Sequence, residues 1–283
     1  MNKQQAAIAK FRELHESGCF VLPNPWDAGS AIYLEHIGFK ALATTSAGFA
    51  FSKGLADGPE FVSREMMLEH FREVVAATSL PVNADFQNGY ADDPEGVAES
   101  VKLCVATGVA GLSIEDNSGQ SAEPLYDFDL AVERIKAARA AIDAGGAQAS
   151  CLLTARCEAY LVDDPNAFRT SLDRLVAFAD AGADCLYAPR VTELKEIAEM
   201  VRAVAPRPVN VLVSSNTWNV SQLADLGVRR ISVGGALARA AWGGFINAAK
   251  EIQEQGTFTA FADATPFGEL NELFAKRVKA NRA

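Results

Sequence analysis

The sequence is poor in the groups that carry several common chemistries. It has three histidines, His15, His36 and His70, and all fall in segments with helical periodicity. A multi-histidine zinc site or a histidine general base at a strand end is therefore not expected. Five cysteines are scattered without a CxxC pair, and their number is odd. That pattern predicts reduced, buried thiols and argues against a disulfide framework. No apolar run approaches the length of a membrane span, and the amphipathic segment MNKQQAAIAKFRELHESG lacks the apolar block of a secretion signal. No basic cluster occurs in a chain of formal net charge -10, which disfavours nucleic acid as a partner. These features predict a cytoplasmic protein with no membrane partner. No G-x-G-x-x-G, G-x-S-x-G or H-E-x-x-H is found.

What is present is a regular alternation. The chain has 283 residues, 49% of them hydrophobic, and no Pro/Gly/Ser-rich linker, which predicts one domain over 1–283. Short apolar runs at 19–23, 40–44, 81–85, 110–115, 151–156, 184–188, 209–213 and 230–233 read as strands. Helical patterns lie between them, at 28–37, 63–77, 94–107, 129–143, 165–181, 192–204, 220–226 and 236–254. Gly38, Gly108, Gly182 and Gly227 follow helix ends, and Asp-Pro pairs at Pro94 and Pro165 open helices. Mostly apolar strands separated by helices imply a parallel sheet covered on both faces. Eight such units predict an α/β fold, the closed (β/α)8 TIM-type barrel, with an open doubly wound sheet as the alternative. Residues 1–17 are expected to cap the barrel bottom. An extension over 258–283, with an amphipathic helix at 262–280, is expected to bury its apolar face on another subunit.

In such a barrel the chemistry sits at the C-terminal ends of the strands. Those ends carry Thr44-Thr45-Ser46-Ala47-Gly48 after the second strand, Asp85 and Gln87 at the third, and Glu115-Asp116 at the fourth. Arg156 and Glu158 follow at the fifth, Asn210 lies on the seventh, and Gly234-Gly235 follow the eighth. Taken singly, each has a structural reading as a cap, a turn or a salt-bridge partner. Together they bring two acidic strand ends and an arginine to one mouth. Crowded carboxylates resist joint ionisation, and a hard divalent cation with oxygen ligands resolves the conflict. A 2-oxo acid chelates such a cation through its carboxylate and keto oxygens, and the cation stabilises an enolate. Arg156 adds charge to the same oxygens, and the Ser46-Ala47-Gly48 turn offers a hydroxyl and free N–H groups. Lys53 is the one lysine near the mouth, so a Schiff-base mechanism is the weaker alternative.

The segments TTSAGFAFSKGLADG, PVNADFQNGYADDPEGV, GLSIEDNSG and LTARCEAYL together resemble the isocitrate lyase / phosphoenolpyruvate mutase superfamily, and the resemblance runs across nearly the whole barrel. It implies Mg2+, with Mn2+ an admissible substitute, and a small 2-oxo acid substrate. By position it implies that Asp85 ligates the metal directly, that Glu115 holds metal waters, and that Asp57 reaches one such water. Ser46, Ala47 and Gly48 then hold the substrate carboxylate and keto oxygen, and Arg156 binds its oxyanion side. It also implies a dimer or tetramer built by passing a C-terminal helix between subunits.

Two departures shape the functional expectation. Gln87 stands where relatives carry a second acid, D-x-D; a neutral amide still hydrogen-bonds a metal-bound water but adds no charge. The loop after Glu115, DNSGQSAEPLYDFD, lacks the Lys-(Lys/Arg)-Cys-Gly-His of the isocitrate and methylisocitrate lyases, and Cys157 on another strand reads as structural. The expected activity is a Mg2+-dependent carbon–carbon lyase or decarboxylase acting through an enolpyruvate-like intermediate on an oxaloacetate- or methylisocitrate-type substrate. The proton donor stays open among a metal-bound water, Tyr90 and Tyr160. The alternatives are phosphorus–carbon chemistry, for which Asn117 is the one suitable loop residue, and a barrel that binds 2-oxo acids without turning them over.

Overall fold

The computed structural model describes residues 2–146 and 151–280. Eight parallel strands alternate with helices: β1 (Phe20–Leu22), β2 (Leu42–Ala43), β3 (Val82–Asp85), β4 (Gly111–Glu115), β5 (Leu152–Arg156), β6 (Cys185–Tyr187), β7 (Val209–Leu212) and β8 (Arg230–Ser232). Each of β2 to β7 pairs with the next strand in parallel, and β8 pairs with β1. The seam between β1 and β2 is bridged where the Ala43 N–H donates to the Pro23 carbonyl at 3.1 Å. The fold is thus the expected (β/α)8 barrel, and the open doubly wound sheet is ruled out.

The helices are α1 (Lys3–Glu16), α2 (Ala28–His36), α3 (Ser46–Ser52), α4 (Arg64–Ala77), α5 (Pro94–Val105) and α6 (Phe128–Asp143). They continue with α7 (Ala167–Asp180), α8 (Leu194–Ala203), α9 (Val220–Asp225), α10 (Ala236–Gln255) and α11 (Phe267–Ala280). Local chemistry accounts for most of the boundaries. Asp93 caps α5 by accepting from the Gly96 N–H at 2.8 Å, with Pro94 in the first turn. Gly38, Gly108, Gly182 and Gly227 take φ between 87° and 102°, a region that a side chain resists.

Near the barrel mouth, two local expectations are corrected. Helix α7 begins at Ala167, not at 165, because the Asp164 carboxylate accepts from the Asn166 N–H at 2.7 Å and holds Pro165 in a turn. The Ser46-Ala47-Gly48 segment is not a free turn but the start of α3, capped by Thr45 Oγ1, which accepts from the Gly48 N–H at 3.2 Å.

The N-terminal ends of the strands are plugged by α1. The Phe11 ring occupies the space that a Cβ on Gly111 would take, and Gln4 Nε2 donates to the carbonyls of Val105 at 2.8 Å and Val109 at 3.1 Å. At the other end of the chain, α10 has 20 residues yet buries only Ala238. A 3-10 turn at Thr259–Asp263 leads to α11, which touches the same chain's α2 and α4. There Arg277 Nη2 donates to the Ala77 carbonyl at 2.9 Å and pairs with Glu35 at 3.4 Å. The start of the expected 262–280 helix moves to Phe267, and 281–283 lie outside the described residues.

Candidate active site

Because side chains alternate across a strand, Asp85, Glu115 and Arg156, the last residues of β3, β4 and β5, all turn into the barrel mouth. They line a cavity of about 540 Å3 that also takes in Ser46, Asp57, Gln87 and Asn210. Arg156 is the hub. Its Nη1 donates to Asp85 Oδ1 at 2.7 Å, its Nη2 meets Glu115 Oε2 at 3.0 Å, and its Nε donates to Glu158 Oε1 at 2.9 Å. One guanidinium therefore serves three carboxylates, with Asp57 a fourth acid in the same cavity. Burial pushes the Glu115 carboxyl well above the usual carboxylate range; Arg156 pulls it back, while Glu158, Asp85 and Asp57 push with burial. Burial likewise raises Glu158, against the pull of Arg156.

The remaining predicted positions divide. Ser46 lies in the wall, but its N–H donates to Asp85 Oδ2 at 3.0 Å and is not free for a ligand. Ala47 lines the cavity. Gly48 does not; a Cβ there would stand 2.6 Å from Thr45 Cγ2 and 2.9 Å from Trp26 Cβ, so its bareness serves packing. Gln87 sits at φ 47° with Nε2 donating to Asp57 Oδ1 at 3.3 Å, and its buried Oε1 has no partner. Asn210 is fixed from both sides, accepting from Arg230 Nε at 2.9 Å and donating to Ser232 Oγ at 2.9 Å. Asn117 lines the cavity, and its bridge to Leu125 closes the short loop between them.

Several neighbours take the structural role. Asp116 pairs with Arg174 of α7 at 3.0 Å and accepts from the Glu158 N–H at 2.8 Å, both fully inside. Cys157 is buried and outside the cavity wall. Lys53 ends α3, with its ammonium 5.3 Å from the Phe49 ring centre. Neither Tyr90 nor Tyr160 lines the cavity; the Tyr160 hydroxyl donates to Glu196 of α8 at 2.7 Å.

Among the cavity residues without a role on sequence grounds, three bear on the charges of the site. Glu158 is the third carboxylate on Arg156, signalled by the R-x-E spacing that places both on one side of the chain. Tyr187, at the end of β6, lays its ring 5.2 Å from the Arg156 guanidinium, and burial raises its phenol to about 12. Arg230 lies inside the barrel on β8; a charged residue opening the run RISV was its signal.

With this geometry established, comparison with known proteins is direct. The family model described as phosphoenolpyruvate phosphomutase matches residues 11–253, and the chain belongs to that PEP mutase family. A candidate lyase/mutase from Burkholderia cenocepacia J2315 is similar at 47% identity and TM-score 0.92, covering 97% of this chain and 98% of the other. A candidate phosphonomutase from the same organism is similar at 34% identity and TM-score 0.79, covering 88% and 99%. The 2-methylisocitrate lyase of Salmonella typhimurium is 30% identical over 197 residues, 67% of this chain and 62% of that protein. The protein is accordingly an enzyme of the lyase and mutase class within the isocitrate lyase / PEP mutase superfamily.

Proposed function

We propose that this enzyme is a Mg2+-dependent lyase that cleaves or decarboxylates a small 2-oxo acid. The observation that carries the reading is the sharing of Arg156 by Asp85, Glu115 and Glu158, with Asp57 beside them. Even with one proton held on Glu115, negative charge exceeds positive charge at this mouth, and a hard dication offsets it. The donors suit such an ion. Asp85 spends one lone pair of each oxygen on Arg156 and Ser46, and a carboxylate has about four acceptor sites in all. The orphaned Oε1 of Gln87 is a ready acceptor for a metal-bound water. Among the described residues no group of three His, Cys, Asp or Glu is arranged to hold a metal ion by itself. Mg2+ bound here would rest on few protein ligands and several waters.

Asp85 would hold the ion directly, with Glu115, Asp57 and Gln87 around its waters; Mn2+ fits the same oxygens. Bound there, the ion supplies Lewis acidity at the keto oxygen. The chain's own groups do the rest. Arg156 donates to the oxyanion side of the substrate, and Ser46 Oγ and Asn210 Nδ2 orient the acid. In decarboxylation the bond to the departing CO2 breaks, its electron pair passes toward the keto group, and a proton returns to the carbon. As proton donor we favour Tyr187, a protonated phenol in the cavity wall, beside a metal-bound water; Tyr90 and Tyr160 lie outside that wall.

The test is a proton NMR screen of 2-oxo acids, their aldol-type adducts and phosphonopyruvate with Mg2+ in D2O. Loss of C3 protons or appearance of cleavage products is expected. Asp85→Ala should reduce metal-dependent exchange by at least about a hundredfold; full activity in that variant would refute the metal assignment. A second reading, phosphorus–carbon chemistry, is favoured by Asn117 in the cavity wall and by likeness to the candidate phosphonomutase. Turnover of phosphonopyruvate followed by 31P NMR selects it.

A further inference from the structure

Beneath the mouth lies a second cation that the chemistry above does not use. Arg230 is 2% exposed and opens β8 inside the barrel, where bulky aliphatic side chains ordinarily fill the space. Its Nε donates to Asn210 Oδ1 at 2.9 Å and its Nη2 to Thr154 Oγ1 at 3.0 Å. Its Nη1 lies 3.4 Å from His15 Nε2. An arginine has no lone pair to offer, so that ring nitrogen accepts; His15 is the neutral tautomer, with Nδ1–H donating to the Phe11 carbonyl at 2.7 Å. All three partners are neutral. Among the described residues Arg230 has no ion pair, whereas Arg156 is shared by Asp85, Glu115 and Glu158.

A buried charge with only neutral partners is costly, and such a cost is kept where it serves a ligand. Three of the five guanidinium N–H groups are spoken for, which leaves two. Arg230 also lines the same 540 Å3 cavity as Arg156, so one cavity joins the two cations. The register gives the depth. Thr154, which Arg230 touches, stands two residues before Arg156 on β5 with its side chain on the same face. At about 3.3 Å per residue Thr154 lies roughly 7 Å behind Arg156 along β5, which sets the deeper cation beneath the upper one. The layer around it is polar, with Asn83, Asn210 and Ser232 all in the cavity wall, and the buried Oδ1 of Asn83 has no partner.

We infer that Arg230 binds a second carboxylate, so that the substrate is a 2-oxo dicarboxylic acid of four or five carbons. Its 2-oxo end sits at Arg156 and Asp85, and its distal carboxylate reaches down to the free N–H groups of Arg230. This rests on the 2-oxo acid reading above and narrows it: a monocarboxylic acid leaves the buried guanidinium uncompensated.

The experiment compares 2-oxoglutarate with 2-oxopentanoate, equal in chain length and different only in the distal carboxylate, by titration calorimetry with Mg2+ present. Wild-type protein should prefer the dicarboxylate by at least tenfold. Arg230→Met should lose that preference, read as the ratio of the two affinities, and Arg230→Lys should keep part of it. Circular dichroism and a thermal melt report whether each variant is folded, and the wild-type comparison stands if Arg230→Met is not. Equal affinity of the two acids for wild type, or an undiminished preference in folded Arg230→Met, would overturn the role of Arg230 and leave the 2-oxo acid reading intact. Binding of neither acid by wild type would overturn both.

Discussion

At the scale of single residues, the most informative position is Gln87. Its amide nitrogen is committed to Asp57, while its carbonyl oxygen is buried without a partner. Such an oxygen suits one more hydrogen bond from a metal water, yet it brings no charge. Gln87→Asp adds that charge without adding bulk. Mg2+ affinity measured by calorimetry is expected to rise about tenfold, the scale on which outer-shell partners act. An unchanged affinity would place this position outside the metal's surroundings. The same logic explains why the acids of the mouth were visible in the sequence but their ranking was not. A carboxylate at a strand end announces itself in the text. That Asp116 would face inward to Arg174, while Glu158 would join the cluster on Arg156, depends on how the chain turns after β4 and β5.

At the scale of elements, α4 carries a histidine in an awkward place. His70 is 1% exposed, stacked on Phe49 at 4.3 Å, and neither ring nitrogen has a partner. Burial lowers its pKa from 6.5 to about 4, and Lys53 adds to the effect. Between those values the unfolded chain takes up a proton that the folded chain refuses. The stability this group contributes is therefore complete above pH 6.5 and is lost as pH falls toward 4, at up to about 1.4 kcal/mol per unit. His70→Phe should remove that slope. Urea unfolding near neutral pH and near pH 5 is expected to show the variant losing about 2 kcal/mol less than wild type. An identical loss in both would mean that His70 takes up its proton without unfolding. His15 is lowered in the same way, so part of the acid sensitivity stays.

Elements also show where reading the sequence works. The strands and the glycines after the helices were legible because a short apolar run and a left-handed φ are local demands. Helix α3 was not, since SAGFAFS has no amphipathic period and holds a glycine whose purpose is contact with Trp26 and Ala238. Arg230 went unread for a similar reason. A charge opening the run RISV hints at it, but its meaning lies in the absence of a carboxylate around it, which only the folded chain shows.

At the scale of the whole molecule, the apolar surface of α10 stands out. In a barrel of this kind each helix after a strand covers the sheet, but this one keeps only Ala238 inside. Trp242 is 39% exposed, Phe245 62% and Ile246 42%. A helix of 20 residues that shows such a face to water gains little from burial, and contiguous apolar patches of this sort mark association. Further exposed rings, Phe258, Phe261 and Phe267, follow between α10 and the start of α11. We propose that these surfaces meet another copy of the chain to give a dimer or a tetramer of dimers, in which the partner's C-terminal helix takes the seat on α2 and α4 that α11 takes in the single chain. Phe245→Glu places a charge at the most exposed ring of α10, which in a dimer would be buried at a cost of several kcal/mol unless the interface opened. Sedimentation velocity should show wild type as a dimer or tetramer and Phe245→Glu shifted toward monomer. The effect should deepen when Trp242→Glu is added, because the two rings pack edge to face at 5.4 Å and belong to one patch. Wild-type protein that sediments as a monomer at all concentrations would refute the assembly. A mutant that keeps the wild-type mass would instead move the interface away from α10 and toward the exposed face of α11.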